Sequence, residues 1–296
     1  SLERTKRAVA HWKQLEEETG RKVQFMLQLG DIIDGNCVPL GKSSEALDLV
    51  LNELVKLFPH EPHKKLLHLW GNHEMYNFRR DQLVNMSLNT ARTLGHMSET
   101  MHSRANYYTY DVTSRLRLIC LDFYVCSALG RDKSDPVHQQ VVELLREHNK
   151  NDDLNSPDNL SDADSKYLLF NGSLGDEQLK WLRDELEKCR HGNVRAIVCG
   201  HIPLDARAGD FMCLPYDVDE IAALFGEYSD TIVAYFAGHY HSGSYFHDKQ
   251  TNIQHFTFPA VLERSNESNA FATFYVYENR ISVNIWDDAN QYEIEY

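Results

Sequence analysis

The chain has 296 residues and a mass of 34.3 kDa, enough to bury a large core without disulfide or metal staples. Its formal net charge of −14 argues against nucleic acid or an anionic membrane as the main partner, because phosphate groups bind clustered lysine and arginine. The sequence has no run of 18 apolar residues, which argues against a membrane span. We therefore expect a globular protein that binds neither nucleic acid nor membrane.

Hydrophobic spacing predicts that helices and strands alternate over most of the chain. In chain order the predicted elements are a helix at 2–15, a strand at 22–30, a helix at 44–58, a strand at 65–70, a helix at 80–94, a strand at 115–121, helices at 137–148 and 176–189, a strand at 194–199, a helix at 217–228 and a strand at 231–236. Ser173 is expected to lie near the N-cap of the helix at 176–189. This alternation is typical of a layered α/β fold with a mostly parallel sheet.

The C-terminal part of the chain lacks helical spacing. Aromatic and β-branched residues at 253–258, 272–277 and 281–286 predict antiparallel strands. The acidic segment 151–165 is predicted to be a solvated surface loop, with a lid over a site as the alternative. We expect a single domain over residues 1–296. The chain begins with a helix that should follow a strand, so the first strand of the fold is expected to be missing.

The six cysteines show no CxxC spacing, and several lie inside apolar segments. This usage is typical of buried thiols in a reducing compartment. We therefore expect a cytoplasmic protein, and we expect it to be a monomer.

Residues of the kinds that bind metals follow four separate predicted strands. In chain order they are Asp31, then Asn72 and His73, then His201, and finally His239 and His241. In an open α/β sheet the carboxyl ends of the strands meet at one edge, where ligands bind. Two histidines separated by one residue would also point the same way in a continuing strand. Any one of these residues alone is most often structural, but the four sets together predict a metal site.

The order of these residues resembles the signature blocks of the calcineurin-like dinuclear metallophosphoesterases. The matching blocks are Gly30-Asp31-x-x-Asp34, Gly71-Asn72-His73-Glu74, Gly200-His201 and Gly238-His239-x-His241. The resemblance extends over about residues 22–286 and implies the layered α/β metallophosphoesterase fold, in which mixed sheets are flanked by helices. It also implies a centre of two metal ions that hydrolyses phosphate esters or anhydrides.

The resemblance implies a role for each matching residue. Asp31 would bridge two ions, Asn72, His201 and His239 would complete the shell of one ion, and His241 would bind the other. His73 would lie outside the shell and protonate the leaving oxygen or stabilise the transition state. Asp34 matches no ligand position and is expected to hold the turn. The mixed nitrogen and oxygen donors suit Mn²⁺, with Zn²⁺, Fe or Mg²⁺ as alternatives.

Longer segments that include and join these blocks resemble one subfamily. Residues 30–36, 69–78, 170–182, 200–206, 237–243 and 271–277 resemble the manganese-dependent ADP-ribose/CDP-alcohol diphosphatases. This implies hydrolysis of the diphosphate bridge of a small nucleotide substrate by a metal-bridging hydroxide, giving AMP and ribose 5-phosphate, or CMP and a phosphoalcohol. Candidate substrate contacts are Tyr76, Asn77, Phe78 and Cys213, with core packing or a plain surface connection as the alternatives.

One block of the family pattern is absent. The Asp-x-His or Asp-x-Gln block that ends the first strand in the family does not occur in this sequence. Either an upstream piece of the natural protein is omitted, or the chain is a catalytically impaired scaffold that binds one ion. A different metallophosphoesterase activity, on cyclic nucleotides or phosphodiesters, is a further alternative.

Overall fold

The computed structural model describes residues 2–95, 105–262, 271–285 and 290–296. Its helices are α1 (Leu2–Thr19), α2 (Ser43–Leu54), α3 (Pro62–Lys65), α4 (Asn72–Asn77), α5 (Arg80–Leu83), α6 (Thr90–Thr93), α7 (Pro136–His148), α8 (Gly175–Gly192) and α9 (Val218–Glu227). Its strands are β1 (Met26–Gln28), β2 (Leu66–His68), β3 (Tyr108–Thr113), β4 (Leu116–Cys120), β5 (Arg195–Cys199), β6 (Ile232–Ala237), β7 (Ser244–His247), β8 (Gln254–Thr257), β9 (Ala272–Val276), β10 (Arg280–Ile285) and β11 (Gln291–Glu295).

The strands form three sheets in the described part of the chain. The largest has the order β3-β4-β5-β6-β8-β7, and its neighbours from β4 through β8 run parallel. Strands β1 and β2 form a separate parallel pair, and β9, β10 and β11 form an antiparallel sheet. The predicted layered α/β fold with mixed sheets is confirmed.

Strand β5 shows why the layers form. Successive side chains of a strand point to opposite faces of the sheet. A strand that is apolar on both faces must therefore be covered on both faces. Ala196 and Val198 belong to a core cluster that includes apolar residues of α8 and α9. Ile197 and Cys199 belong to a second cluster that includes apolar residues of β10 and β11. The six-stranded sheet is therefore covered by helices on one face and by the three-stranded sheet on the other.

Two predicted elements differ from the observed ones. The predicted helix at 80–94 is two short helices, α5 and α6, because the chain turns between them and Asn89 caps the second by accepting a hydrogen bond from the Arg92 N–H. The segment 253–258 was expected to be an antiparallel strand, but β8 runs parallel to β6 and antiparallel only to β7. In the last predicted strand, position 286 lies outside the described residues.

Ser173 lies next to Leu174, the N-cap residue of helix α8, as expected, but the capping side chain is that of Asp217. The Asp217 carboxylate accepts hydrogen bonds from the Leu174 and Gly175 N–H groups at 2.9 and 3.2 Å. The Ser173 hydroxyl instead approaches the Cys126 carbonyl. The cap is thus supplied by a residue more than 40 positions away, which a search for local capping residues does not find.

The acidic segment 151–165 has neither helix nor strand, and most of its residues are exposed. The buried Asn149 stabilises the segment: its Nδ2 lies 3.3–3.4 Å from the carbonyl oxygens of Leu154, Ser156 and Tyr167. These contacts agree with the surface-loop prediction. Among the described residues, no helix combines the length and the apolar character needed to cross a membrane.

Candidate active site

The predicted ligands come together where β1, β2, β5 and β6 end. Ligand atoms of Asp31, His201 and His239 all lie within 4.8 Å of one another. Asp31 and His239 also adopt positive φ angles of 59° and 64°, and every other non-glycine residue that does so in the described chain is an asparagine. Such backbone conformations cost about 1–3 kcal/mol each and concentrate at functional sites.

His201 lies at the centre of the cluster and is 1% exposed. Its Nδ1 lies 2.7 Å from the Leu29 carbonyl oxygen, which can only accept a hydrogen bond, so Nδ1 carries the proton. In the neutral form that binds a metal, His201 therefore presents a lone pair at Nε2. That atom lies 3.3 Å from Asp31 Oδ2, 3.2 Å from Asn72 Oδ1 and 3.2 Å from His239 Nδ1. Four electron-rich atoms from four strand ends thus surround one point.

The charges favour a cation at that point. Burial tends to raise the pKa of the Asp31 carboxyl, but the charge and hydrogen bond of a protonated His201, followed by the contacts with His73, outweigh burial and hold the pKa well below its ordinary value. Burial lowers the pKa of His239 to about 3, which keeps its imidazole neutral. An ionised carboxylate, an amide oxygen and neutral imidazoles are the donors that Mn²⁺, Fe or Zn²⁺ accept. The residues present therefore fit a divalent metal ion.

Glu74 holds the backbone around Asp31 in place. This carboxylate is 1% exposed and accepts hydrogen bonds from the N–H groups of Gly71, Asp31 and Ile32 at 2.6–2.8 Å. Burial, followed by the negative charge of Asp31, raises the pKa of Glu74 to about 7. These three bonds stabilise the left-handed backbone of Asp31 and fix its carboxylate relative to helix α4.

His73 lies beside the cluster without joining it. Its Nδ1 accepts a hydrogen bond from the Gly35 N–H at 2.8 Å, so the neutral ring carries its proton on Nε2. That Nε2 lies 4.0 Å from Asp31 Oδ2. The ring also lines an open cleft of about 570 Å³, together with Tyr76 and with Asp34, Gly35, Asn36 and Val38 of the turn after β1. His73 is therefore placed to donate a hydrogen bond to a group bound in the cleft.

Asp34 has the structural role that was expected of it. It caps the short 3₁₀ helix Gly35–Cys37, and its carboxylate accepts a hydrogen bond from the Asn36 N–H at 2.7 Å. The cap shapes the turn that lies over His73.

His239 and His241 both lie beyond the end of strand β6. Strand β6 ends at Ala237, close to its predicted end, so the two histidines do not share a continuing strand, and the positive φ of His239 turns the chain. His241 is exposed and lies outside the cluster of Asp31, His201 and His239.

The candidate substrate contacts lie in different surroundings. Tyr76 is 38% exposed and lines the cleft. Phe78 is 8% exposed and packs in the main core cluster. The Asn77 amide is occupied by hydrogen bonds to the chain, donating to the His73 carbonyl and accepting from the Ser43 hydroxyl. Cys213 is 9% exposed, and burial raises the pKa of its thiol to about 12.

Asn171, which is not among the predicted site residues, contacts the cluster directly. Its Oδ1 lies 2.8 Å from His239 Nε2, on the side of the ring away from His201. Asn171 belongs to the segment 170–182 that carried part of the family resemblance, and this was the signal available. A buried asparagine in a loop gives no indication by itself of what it contacts.

Comparison with known proteins places the chain in a family. Residues 2–243 match the model of the calcineurin-like phosphoesterases. The chain is 36% identical to proteins of Bos taurus and Homo sapiens named manganese-dependent ADP-ribose/CDP-alcohol diphosphatase, over 93% and 86% of its length and 79% and 73% of theirs.

A solved structure agrees with this match. A dimetal phosphatase from Danio rerio superimposes with a TM-score of 0.89 and 30% sequence identity, covering 100% of this chain and 89% of that one. The predicted family and fold are confirmed. The chain therefore belongs to the calcineurin-like phosphoesterases and is a hydrolase of that family.

Proposed function

We propose that this protein hydrolyses the diphosphate bridge of ADP-ribose and of CDP-alcohols in a manganese-dependent reaction. The observation that carries the proposal is the convergence of Asp31, Asn72, His201 and His239 on one point beside an open cleft. The curated relatives that carry this activity in their names support the choice of substrate. His241 is proposed as a ligand of a second ion.

The reaction adds water across the P–O–P bridge. The oxygen of water bonds to one phosphorus, the bridging P–O bond breaks, and the bridging oxygen leaves on the other phosphate. Divalent ions, when bound, supply positive charge for the diphosphate and lower the pKa of a bound water. His73 would stabilise the leaving oxygen by donating a hydrogen bond to it from Nε2, because Nδ1 is already occupied by the Gly35 N–H.

The cleft is large enough for a small nucleotide. Its volume of about 570 Å³ lies within the range of roughly 300–1,000 Å³ that is common for small-molecule sites. The Tyr76 ring lies 5.4 Å from the His73 ring, centroid to centroid, and gives the cleft an aromatic wall next to the reacting groups. We propose that a base or ribose of the substrate packs against Tyr76.

Product analysis tests this proposal. ADP-ribose and CDP-choline are incubated with the protein, with and without Mn²⁺, and the release of AMP and CMP is measured. We expect manganese-dependent release by the native protein and its loss in His201→Asn. The matched control is His191→Asn, which changes a histidine that is 77% exposed on helix α8 and should leave the activity unchanged.

Other outcomes contradict the proposal in distinct ways. Hydrolysis of a cyclic nucleotide, with both diphosphates left intact, would assign the site to a different phosphoesterase reaction. Tight manganese binding without any product would favour the single-metal scaffold instead. Equal activity of His201→Asn and His191→Asn would show that the cluster around His201 does not take part.

A further inference from the structure

We propose that Asn171 is a positioning residue that fixes the tautomer of His239 and thereby sets the affinity of the site for metal. The proposal rests on the metal site of the proposed function and adds to it a residue outside the ligand set. Asn171 is fully buried, and its Oδ1 lies 2.8 Å from His239 Nε2.

The orientation of the Asn171 amide is determined by its other contacts. Its Nδ2 donates hydrogen bonds to the Lys166 and Met212 carbonyl oxygens at 2.9 and 2.8 Å. Reversing the amide would place Oδ1 against both carbonyl oxygens, where it would meet acceptors and no donor. Oδ1 must therefore face His239.

This orientation decides which nitrogen of His239 carries the proton. An amide oxygen only accepts, so Nε2 of His239 is the donor in the 2.8 Å contact. A neutral imidazole has one N–H, which leaves a lone pair on Nδ1. Nδ1 is the nitrogen that lies 3.2 Å from His201 Nε2, at the centre of the cluster. Asn171 thus directs the metal-binding nitrogen towards the site.

The surroundings of Asn171 resist any adjustment. The Asn171 carbonyl accepts hydrogen bonds from the Ser127 and Tyr216 hydroxyls at 3.2 and 2.9 Å. Hydrogen bonds therefore hold both the side-chain amide and the backbone carbonyl of Asn171, and they keep Oδ1 in place against His239. Ligating histidines depend on such outer contacts, whose removal commonly costs about 10–100-fold in metal affinity.

The test compares three variants of the whole chain. Asn171→Leu removes the acceptor for His239 Nε2. Asn171→Asp keeps an acceptor oxygen but loses both Nδ2 donations. Asn149→Leu is the matched control, because Asn149 is also fully buried and its amide also faces loop carbonyls, but those lie under the acidic segment and outside the site.

Two measurements separate positioning from stability. Mn²⁺ affinity is measured by titration, and the His239 tautomer is read from imidazole ¹⁵N chemical shifts in the metal-free protein. We expect Asn171→Leu to bind Mn²⁺ about 10–100-fold more weakly and to lose the Nε2–H tautomer as its single form. Asn171→Asp should bind within a few-fold of the native protein although it unfolds more easily, and Asn149→Leu should lower only the stability.

Native affinity and an unchanged tautomer in Asn171→Leu would overturn the proposal, as would an equal loss of affinity in Asn149→Leu. Neither measurement uses turnover. A protein that binds Mn²⁺ as described but leaves ADP-ribose intact would contradict the proposed function and leave the role of Asn171 standing.

Discussion

The close approach of the backbone at Gly71 makes a sharp test of the site geometry. A Cβ atom added at this position would lie 2.2 Å from Asp31 Oδ1 and 2.7 Å from His201 Cε1. Non-bonded contacts of a real Cβ are essentially never shorter than 3.0 Å. We predict that Gly71→Ala disables the site although it adds only one methyl group.

The size of the effect follows from the displacement. To reach 3.0 Å, the Asp31 carboxylate or the Gly71 backbone must move by about 0.8 Å. The backbone resists this movement, because the Gly71 N–H donates to Glu74 at 2.6 Å. A misplacement of about 1 Å commonly costs about 100-fold in rate, or about 2.7 kcal/mol in the activation free energy. We therefore expect kcat/KM to fall about 100-fold, and Mn²⁺ to bind more weakly.

The assay measures ADP-ribose hydrolysis and Mn²⁺ binding in parallel. The control is Gly226→Ala on helix α9, where the added Cβ meets nothing within 4 Å. This control should keep the native rate and gain up to about 1 kcal/mol of stability, because alanine favours helix. A Gly71→Ala protein that keeps more than half of the native kcat/KM and the native Mn²⁺ affinity would refute the account of the site.

Two further predictions concern His73 and Asp217. His73→Ala should nearly abolish turnover and leave the metal content near normal, because the ring lies beside the ligand cluster; loss of metal, measured by elemental analysis, would refute the role given to His73. Burial raises the pKa of Asp217 from 3.8 to about 6, so folding favours its protonated form and the free energy of unfolding falls as the pH rises from about 4 to 7. At 1.36 kcal/mol per pKa unit, Asp217→Asn should remove up to about 3 kcal/mol of this fall. The free energy of unfolding is measured in urea at pH 4.5 and 7.5. An equal fall in the native protein and in Asp217→Asn would contradict the reasoning.

The long amphipathic helices and the residues at strand ends could be predicted best from the sequence. Helices α1, α7, α8 and α9 have uninterrupted apolar spacing, and they were predicted to within a few residues. The convergence of Asp31, His201 and His239 could also be predicted, because parallel strands deliver their following residues to the same edge.

The missed features depend on contacts between distant segments. Periodicity placed the end of this strand at 236, but it could not show that His239 adopts a positive φ, which is uncommon for residues other than glycine. Nor could it show that Asp217 caps α8, or that Asn171 orients His239. Strands β3, β7 and β11 were not predicted. Each pairs with a neighbouring strand, and this pairing is not visible in the local sequence of the strand.

A manganese titration tests the central claim most directly. Protein freed of metal with EDTA is returned to chelator-free buffer, and bound Mn²⁺, measured by electron paramagnetic resonance, is followed together with ADP-ribose hydrolysis in the same samples. We expect no hydrolysis without metal, and a rate that rises with the amount of bound Mn²⁺. Hydrolysis by the metal-free protein, or a protein that binds no Mn²⁺, would contradict this expectation.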